Sequence, residues 1–182
     1  MRMRLGCCLA ALMLLAACAT APKDAPGFSV EALPQDPAYA LLVVYRGLVP
    51  PLAYKSTVSV NGVEAVAMPN QAFTWIKVRP GHTSLKNDWS FAAGNPAGAV
   101  DLAVQAGHRY YVEIFYPGDG SPGTAVTGLV TYHSSVQGRG LDTRDEASAL
   151  QILHSCRYVP VEADYVPPAP IADDLQAAGM GP

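Results

Sequence analysis

From residue 39 onward the chain alternates short apolar runs with turn residues. Ala40-Leu41-Leu42-Val43-Val44-Tyr45 is apolar at every position, which predicts a central strand buried on both faces and ended by Arg46-Gly47. Ser56-Thr57-Val58-Ser59-Val60 alternates polar with apolar, the pattern of a half-buried strand. Asn61-Gly62 then predicts a two-residue hairpin turn, because both residues tolerate positive φ, and Val63 to Met68 is the returning strand. Pro69-Asn70 turns the chain into a strand over Gln71 to Val78, with Phe73, Trp75 and Lys77 on one side and Thr74 and Ile76 on the other. Arg79-Pro80-Gly81 breaks it, and His82 to Lys86 forms a short strand. Residues 87–98 read as a loop. Val100, Leu102 and Val104 mark the next strand, His108 to Tyr116 a long aromatic one, and Thr124 to Tyr132 a last, less regular one.

One stretch has helical periodicity. Ala147, Leu150 and Leu153, with Ile152 beside them, lie within Arg144 to His154, and Asp142-Thr143 would cap it with Glu146 at capping-box spacing from Thr143. Helices do not alternate with strands, so a parallel α/β fold is not expected. The pattern predicts a mainly β protein: an antiparallel β-sandwich of about seven to eight strands with one C-terminal helix.

The two ends differ from this middle. Arg2 and Arg4 precede an apolar run from Leu9 to Leu15, the layout of a secretion signal. The uncharged stretch from Leu5 stops at Pro22 and is shorter than the roughly 20 apolar residues a spanning helix needs. The segment closes with Leu15-Ala16-Ala17-Cys18, which resembles the lipobox of bacterial lipoproteins, where the cysteine is acylated and begins the mature chain. That resemblance implies a signal peptide at 1–17 and membrane lipid as a partner through Cys18 acylation. Ala19 rather than Asp follows the cysteine; by the enterobacterial pattern this implies transfer to the outer membrane, facing the periplasm. Residues 18–37, with Pro22, Pro26, Pro34 and Pro37, read as a flexible tether. Residues 38–157 form the β-sandwich domain, and the proline- and glycine-rich 158–182 reads as a disordered tail.

Charge and cysteine usage narrow the partners. The whole chain carries −3; once Arg2 and Arg4 leave, ten basic residues face 15 acidic ones, giving −5. No basic run exists, so nucleic acid is not an expected partner. An acidic surface does not attract anionic lipid, so membrane attachment would come from the acyl group. Cys7 and Cys8 leave with the signal and Cys18 is spoken for, which leaves Cys156 without a partner in its own chain. It reads as a small buried hydrophobe, with an intermolecular disulfide as the other reading.

The order of several pieces resembles the DUF2846 family of small bacterial lipoproteins, whose function is poorly defined. The pieces are Val44-Tyr45-Arg46, Val58-Ser59-Val60-Asn61-Gly62, Val78-Arg79-Pro80-Gly81-His82, Ala106-Gly107-His108-Arg109-Tyr110-Tyr111-Val112, and the helix from Asp145-Glu146-Ala147 to Leu153. The resemblance covers about half the chain and brings no catalytic residues with it.

Catalytic patterns are weak. Gly118-Asp119-Gly120-Ser121-Pro122-Gly123 spells G-x-G-x-x-G, yet Pro122 and β-prone residues follow where a helix N-terminus must open to hold pyrophosphate. His82, His108, His133 and His154 show no helical pairing and no Cys/His clustering. Asp101 and Glu113 sit on polar-side strand positions, where solvated faces account for them. No catalytic residue, metal ligand or cofactor is assigned. Trp89 and Phe91, placed in the predicted 87–98 loop, together with Tyr110 and Tyr111, form the candidate binding surface. The expected function is a membrane-anchored lipoprotein whose sandwich is a binding or envelope-structural module, with an envelope protein as a further partner. The alternative is a small periplasmic hydrolase or metal-binding protein using histidines assembled by the fold.

Overall fold

The computed structural model describes residues 20–49, 52–89, 98–115 and 140–171. The signal segment, Cys18, Phe91, His133, the strand expected at Thr124 to Tyr132 and the G-x-G-x-x-G stretch lie outside these residues. The described chain is mainly β, with strands β1 (Ala40–Arg46), β2 (Ser56–Val60), β3 (Val63–Met68), β4 (Ala72–Val78), β5 (Gly81–Trp89), β6 (Gly98–Val104), β7 (Arg109–Phe115), β8 (Gly140–Arg144) and β9 (Arg157–Tyr158), and helix α1 (Glu146–Leu153) before the last. They form two sheets in a sandwich-like arrangement: β8-β7-β1-β4-β9 and β3-β2-β5-β6.

β1 is the centre of the five-stranded sheet, and all seven of its residues are buried. Strand alternation divides them between two cores. Ala40, Leu42 and Val44 face the other sheet and pack with Val58, Val60, Leu85, Val100 and Leu102. Leu41, Val43 and Tyr45 face outward, under Leu33, Phe73, Tyr111, Cys156 and the α1 residues Ala149 and Leu153. Each fully buried Leu or Val contributes about 1.5–3 kcal/mol, so a continuous apolar strand fits only this doubly covered position. The hairpin forms as its residues dictate: Asn61 and Gly62 have φ of 48° and 83°.

Most pairings are antiparallel, as expected, but β1 runs parallel to β7 and β4 parallel to β9. The chain leaves the five-stranded sheet after β1 and again after β4, so β7 returns at the end where β1 begins. There Gly107 N donates to Tyr39 O at 2.9 Å and Leu41 N to His108 O at 2.9 Å, which ties the two strand starts together.

Three expectations are corrected. First, Asp142 and Thr143 do not cap the helix; they belong to β8, where pairing with Glu113 and Val112 of β7 overrides local capping preference. The N-cap is Asp145, whose carboxylate accepts from Ser148 N at 2.9 Å and Ser148 Oγ at 2.7 Å. These bonds hold the Asp145 carboxyl below its usual range. Second, residues 20–37 are not a free tether. Ala21 and Leu33 are buried, Ala21 N donates to Asn70 O, and Phe28 meets Phe73 edge to face at 5.1 Å. Third, the tail is held as far as Ile171. Val159 N donates to Phe73 O, Glu162 N to Ala65 O and Ile171 N to His82 O, while Tyr165 packs on the core. Its prolines suit an extended strap laid over the sheet.

Cys156 bears out the hydrophobe reading. It is fully buried, with Sγ 3.5 Å from Ile152 O and 3.6 Å from Arg46 O, and burial pushes its thiol up to about 11. Native protein at pH 8 should therefore react with a thiol reagent at least about 100-fold more slowly than free cysteine, and quickly once unfolded. Rapid labelling of the folded chain would show that the thiol is accessible.

Candidate functional site

The aromatic residues expected to form one patch are divided by the fold. Trp89 is not in a loop. It is the last residue of β5, 4% exposed, and part of the core between the sheets. This overturns its assignment to a partner-binding surface. Asn87 and Asp88 resemble loop residues, but Asn87 is buried and useful there: its Oδ1 accepts from Gly98 N at 2.9 Å and its Nδ2 donates to Ser56 Oγ at 3.2 Å. Tyr111 is buried on the outer face near α1, whereas Tyr110 is half-buried against the inner core, its hydroxyl accepting from Gln105 N at 3.0 Å. Adjacent strand residues point to opposite faces, so these two do not share a surface.

Trp89 instead packs against a residue that sequence reading treated only as a strand end. The Arg46 guanidinium lies 4.6 Å from the Trp89 ring centroid and is fully buried. Nη1 donates to Tyr54 O at 2.7 Å and to Met68 O at 3.2 Å, and Nη2 donates to Val49 O at 2.9 Å. Burial lowers its pKa to about 10, so it stays charged at neutral pH. It joins β1, β3 and the segment that follows β1. No sequence signal distinguishes this arginine from one that ends a strand in solvent.

A second charged group lies on the outer side of the five-stranded sheet. Arg144 Nε donates to Glu113 Oε2 at 2.6 Å and Nη1 to Asp142 Oδ2 at 2.9 Å, with the Phe115 ring centroid 5.7 Å from the guanidinium. Burial raises the Asp142 carboxyl, with Arg144 opposing the rise. Burial also works against the Arg144 charge, but the hydrogen bond and charge of Glu113 outweigh it, and the guanidinium is held above its usual value. The group is a compensated ion network. Glu113 is engaged by Arg144 and sits on β7, while Asp101 is on β6 of the other sheet, so the fold does not join them as a carboxylate pair.

The open cleft lies at the end where β1 and β7 begin. It encloses about 230 Å³ between the 34–39 segment and the sheet, and its polar walls are Gln35, Asp36, Tyr39, Lys77, His108 and Arg109. Lys77 Nζ donates to Asp36 Oδ2 at 3.0 Å, and Ala38 N donates to Asp36 Oδ1 at 3.1 Å. The Lys77 hydrogen bond, then that of Ala38, holds the Asp36 carboxyl below its usual range. The exposed His108 and half-buried Arg109 add N–H donors to the lining, groups of the kind that bind a carboxylate or another small anion.

Among the described histidines, only His108 lines this cleft; His82 lies on β5 beside Ile171, and His154 ends α1. Among the described residues, no group of three or more His, Cys, Asp or Glu could hold a metal ion. Compared with known proteins, the chain matches no family model and no curated protein.

Proposed function

We propose that the chain is a bacterial lipoprotein whose acylated Cys18 holds a non-catalytic β-sandwich at the membrane, on the periplasmic side of the outer membrane. There it serves as a binding or envelope-structural module. The observation that carries this reading is Leu15-Ala16-Ala17-Cys18 behind a short basic and apolar leader. The resemblance of its motif order to that of DUF2846 lipoproteins supports the same reading, but the lipobox is the stronger support. The mature charge of −5 gives no electrostatic hold on anionic lipid, so attachment depends on the acyl chains. Each buried methylene contributes about 0.8 kcal/mol, and two or more chains anchor stably. The cleft beside His108 and Arg109 is the place for a small ligand with an anionic group, and an envelope protein remains a further partner.

The test is Cys18→Ala in the producing cell. Expected is loss of incorporated fatty acid and transfer of most of the protein from the membrane to the soluble fraction. A variant that stays wholly with the membrane would sink the anchor reading.

A further inference from the structure

The N-terminal segment enters the fold at one place. Thr20 bridges to Asn70, Ala21 N donates to Asn70 O at 2.9 Å, and Ala21 is buried in the inter-sheet core. Two residues of chain reach at most about 7 Å. An acyl group on Cys18 would therefore leave the domain beside Asn70, without a long spacer.

The same Asn70 organises the chain after β1. Its Nδ2 donates to Leu52 O at 2.8 Å, and its Oδ1 accepts from Val49 N at 3.3 Å. Arg46 holds the carbonyls of Val49 and Tyr54 from the inside. The backbone groups of Val49, Leu52 and Tyr54 are thus held while large side chains beside them face out: Leu48 is 62% exposed, Leu52 53% and Tyr54 41%. Among the described residues, five large hydrophobic side chains are exposed, and three of them are these. Buried polar groups spent on holding apolar side chains in solvent indicate a surface that is covered in use. No acidic residue occurs between Gly47 and Lys55, and Lys55 is exposed at its edge. Leucines with a tyrosine and a lysine at the margin match the interfacial layer of a membrane.

We propose that Leu48, Leu52 and Tyr54 are the bilayer-facing contact of the domain, entering the interfacial layer of the membrane that holds Cys18. The proposal rests on the anchor reading. The sandwich then lies against the lipid in a fixed orientation. The Asn61-Gly62 turn, at the other end of β2 and β3 from Ser56 and Met68, points away from it.

The test uses the full-length processed protein carrying Leu52→Cys or Val63→Cys, each labelled with an environment-sensitive fluorophore. Cys156 is buried and does not compete for label. The proteins are placed in vesicles of phosphatidylethanolamine and phosphatidylglycerol, with and without brominated acyl chains. Flotation and the mass of the N-terminal peptide report the anchor. Expected is flotation of both proteins, with the label at position 52 quenched at least about threefold more than the label at 63. Equal quenching at the two positions in floating, acylated protein overturns the contact and leaves the anchor standing. Protein that neither floats nor carries acyl mass overturns both.

Discussion

Arg46→Ala is expected to lower the unfolding free energy by about 3–5 kcal/mol, because it leaves carbonyls that a buried cation had satisfied. The side chain is wholly enclosed, and its three donor contacts converge from β3 and the segment after β1. Removing it opens a hole beneath Trp89 and deprives the Met68 carbonyl of its donor. For a domain of this length that is roughly 10–15 °C in melting temperature. Arg46→Lys should recover only part of the loss, since one ammonium cannot match the planar fork. Trp89→Ala should cost about 3–5 kcal/mol by truncating a buried aromatic. The double variant should fall short of the sum by about 1–2 kcal/mol, the coupling of a desolvated cation over a ring. Thermal and urea denaturation check all four variants. A Trp89→Ala protein of unchanged stability would return this residue to the surface role that its polar neighbours suggested.

That misreading shows where sequence logic stops. The β2-β3 hairpin was legible because its determinants are local: alternation along β2 and two residues suited to positive φ. β1 was legible because the six residues from Ala40 to Tyr45, without a polar face, require cover on both sides. Asn87 was not legible. A polar residue after a strand resembles a loop, and only its long-range bonds to Ser56 and Gly98 make it a buried strand position. Arg46 failed for the same reason: its partners are carbonyls, which sequence does not mark. Asp142 and Thr143 have good capping chemistry, but a ladder with β7 competed for the same backbone and won. Proline content suggested mobility at both ends, yet proline equally suits extended segments that lie on a sheet, as the buried Ala21 and the bonds of Val159 and Ile171 show. The parallel pairing of β1 with β7 follows from the route between sheets, which no local pattern records. The candidate cleft was missed because Asp36, Lys77 and His108 come from three separate segments.

Gly98→Ala is expected to be at least as damaging, for a steric reason. A Cβ built on Gly98 would lie 2.6 Å from the Gly140 Cα and 2.7 Å from the Leu141 N, and would collide with the Asn87 side-chain oxygen. Two of these neighbours are backbone, so no rotamer change relieves the clash. β6 belongs to the four-stranded sheet and β8 to the five-stranded one, and Gly98 is where their backbones come together. A methyl group there must separate the sheets at that edge and break the bond from Gly98 N to Asn87, which also pulls on Ser56. Overpacking alone costs about 1–3 kcal/mol; with the buried Asn87 bonds strained as well, the loss should be about 3 kcal/mol or more. Gly62→Ala is the comparison. Its Cβ would meet nothing within 4 Å, and only its φ of 83° resists the change, so about 1 kcal/mol is expected. Urea midpoints of the two variants should therefore separate clearly, with Gly98→Ala the lower. Equal midpoints would mean that the β6-β8 approach gives way without cost. The sandwich would then be two sheets sharing a core but not joined at this edge.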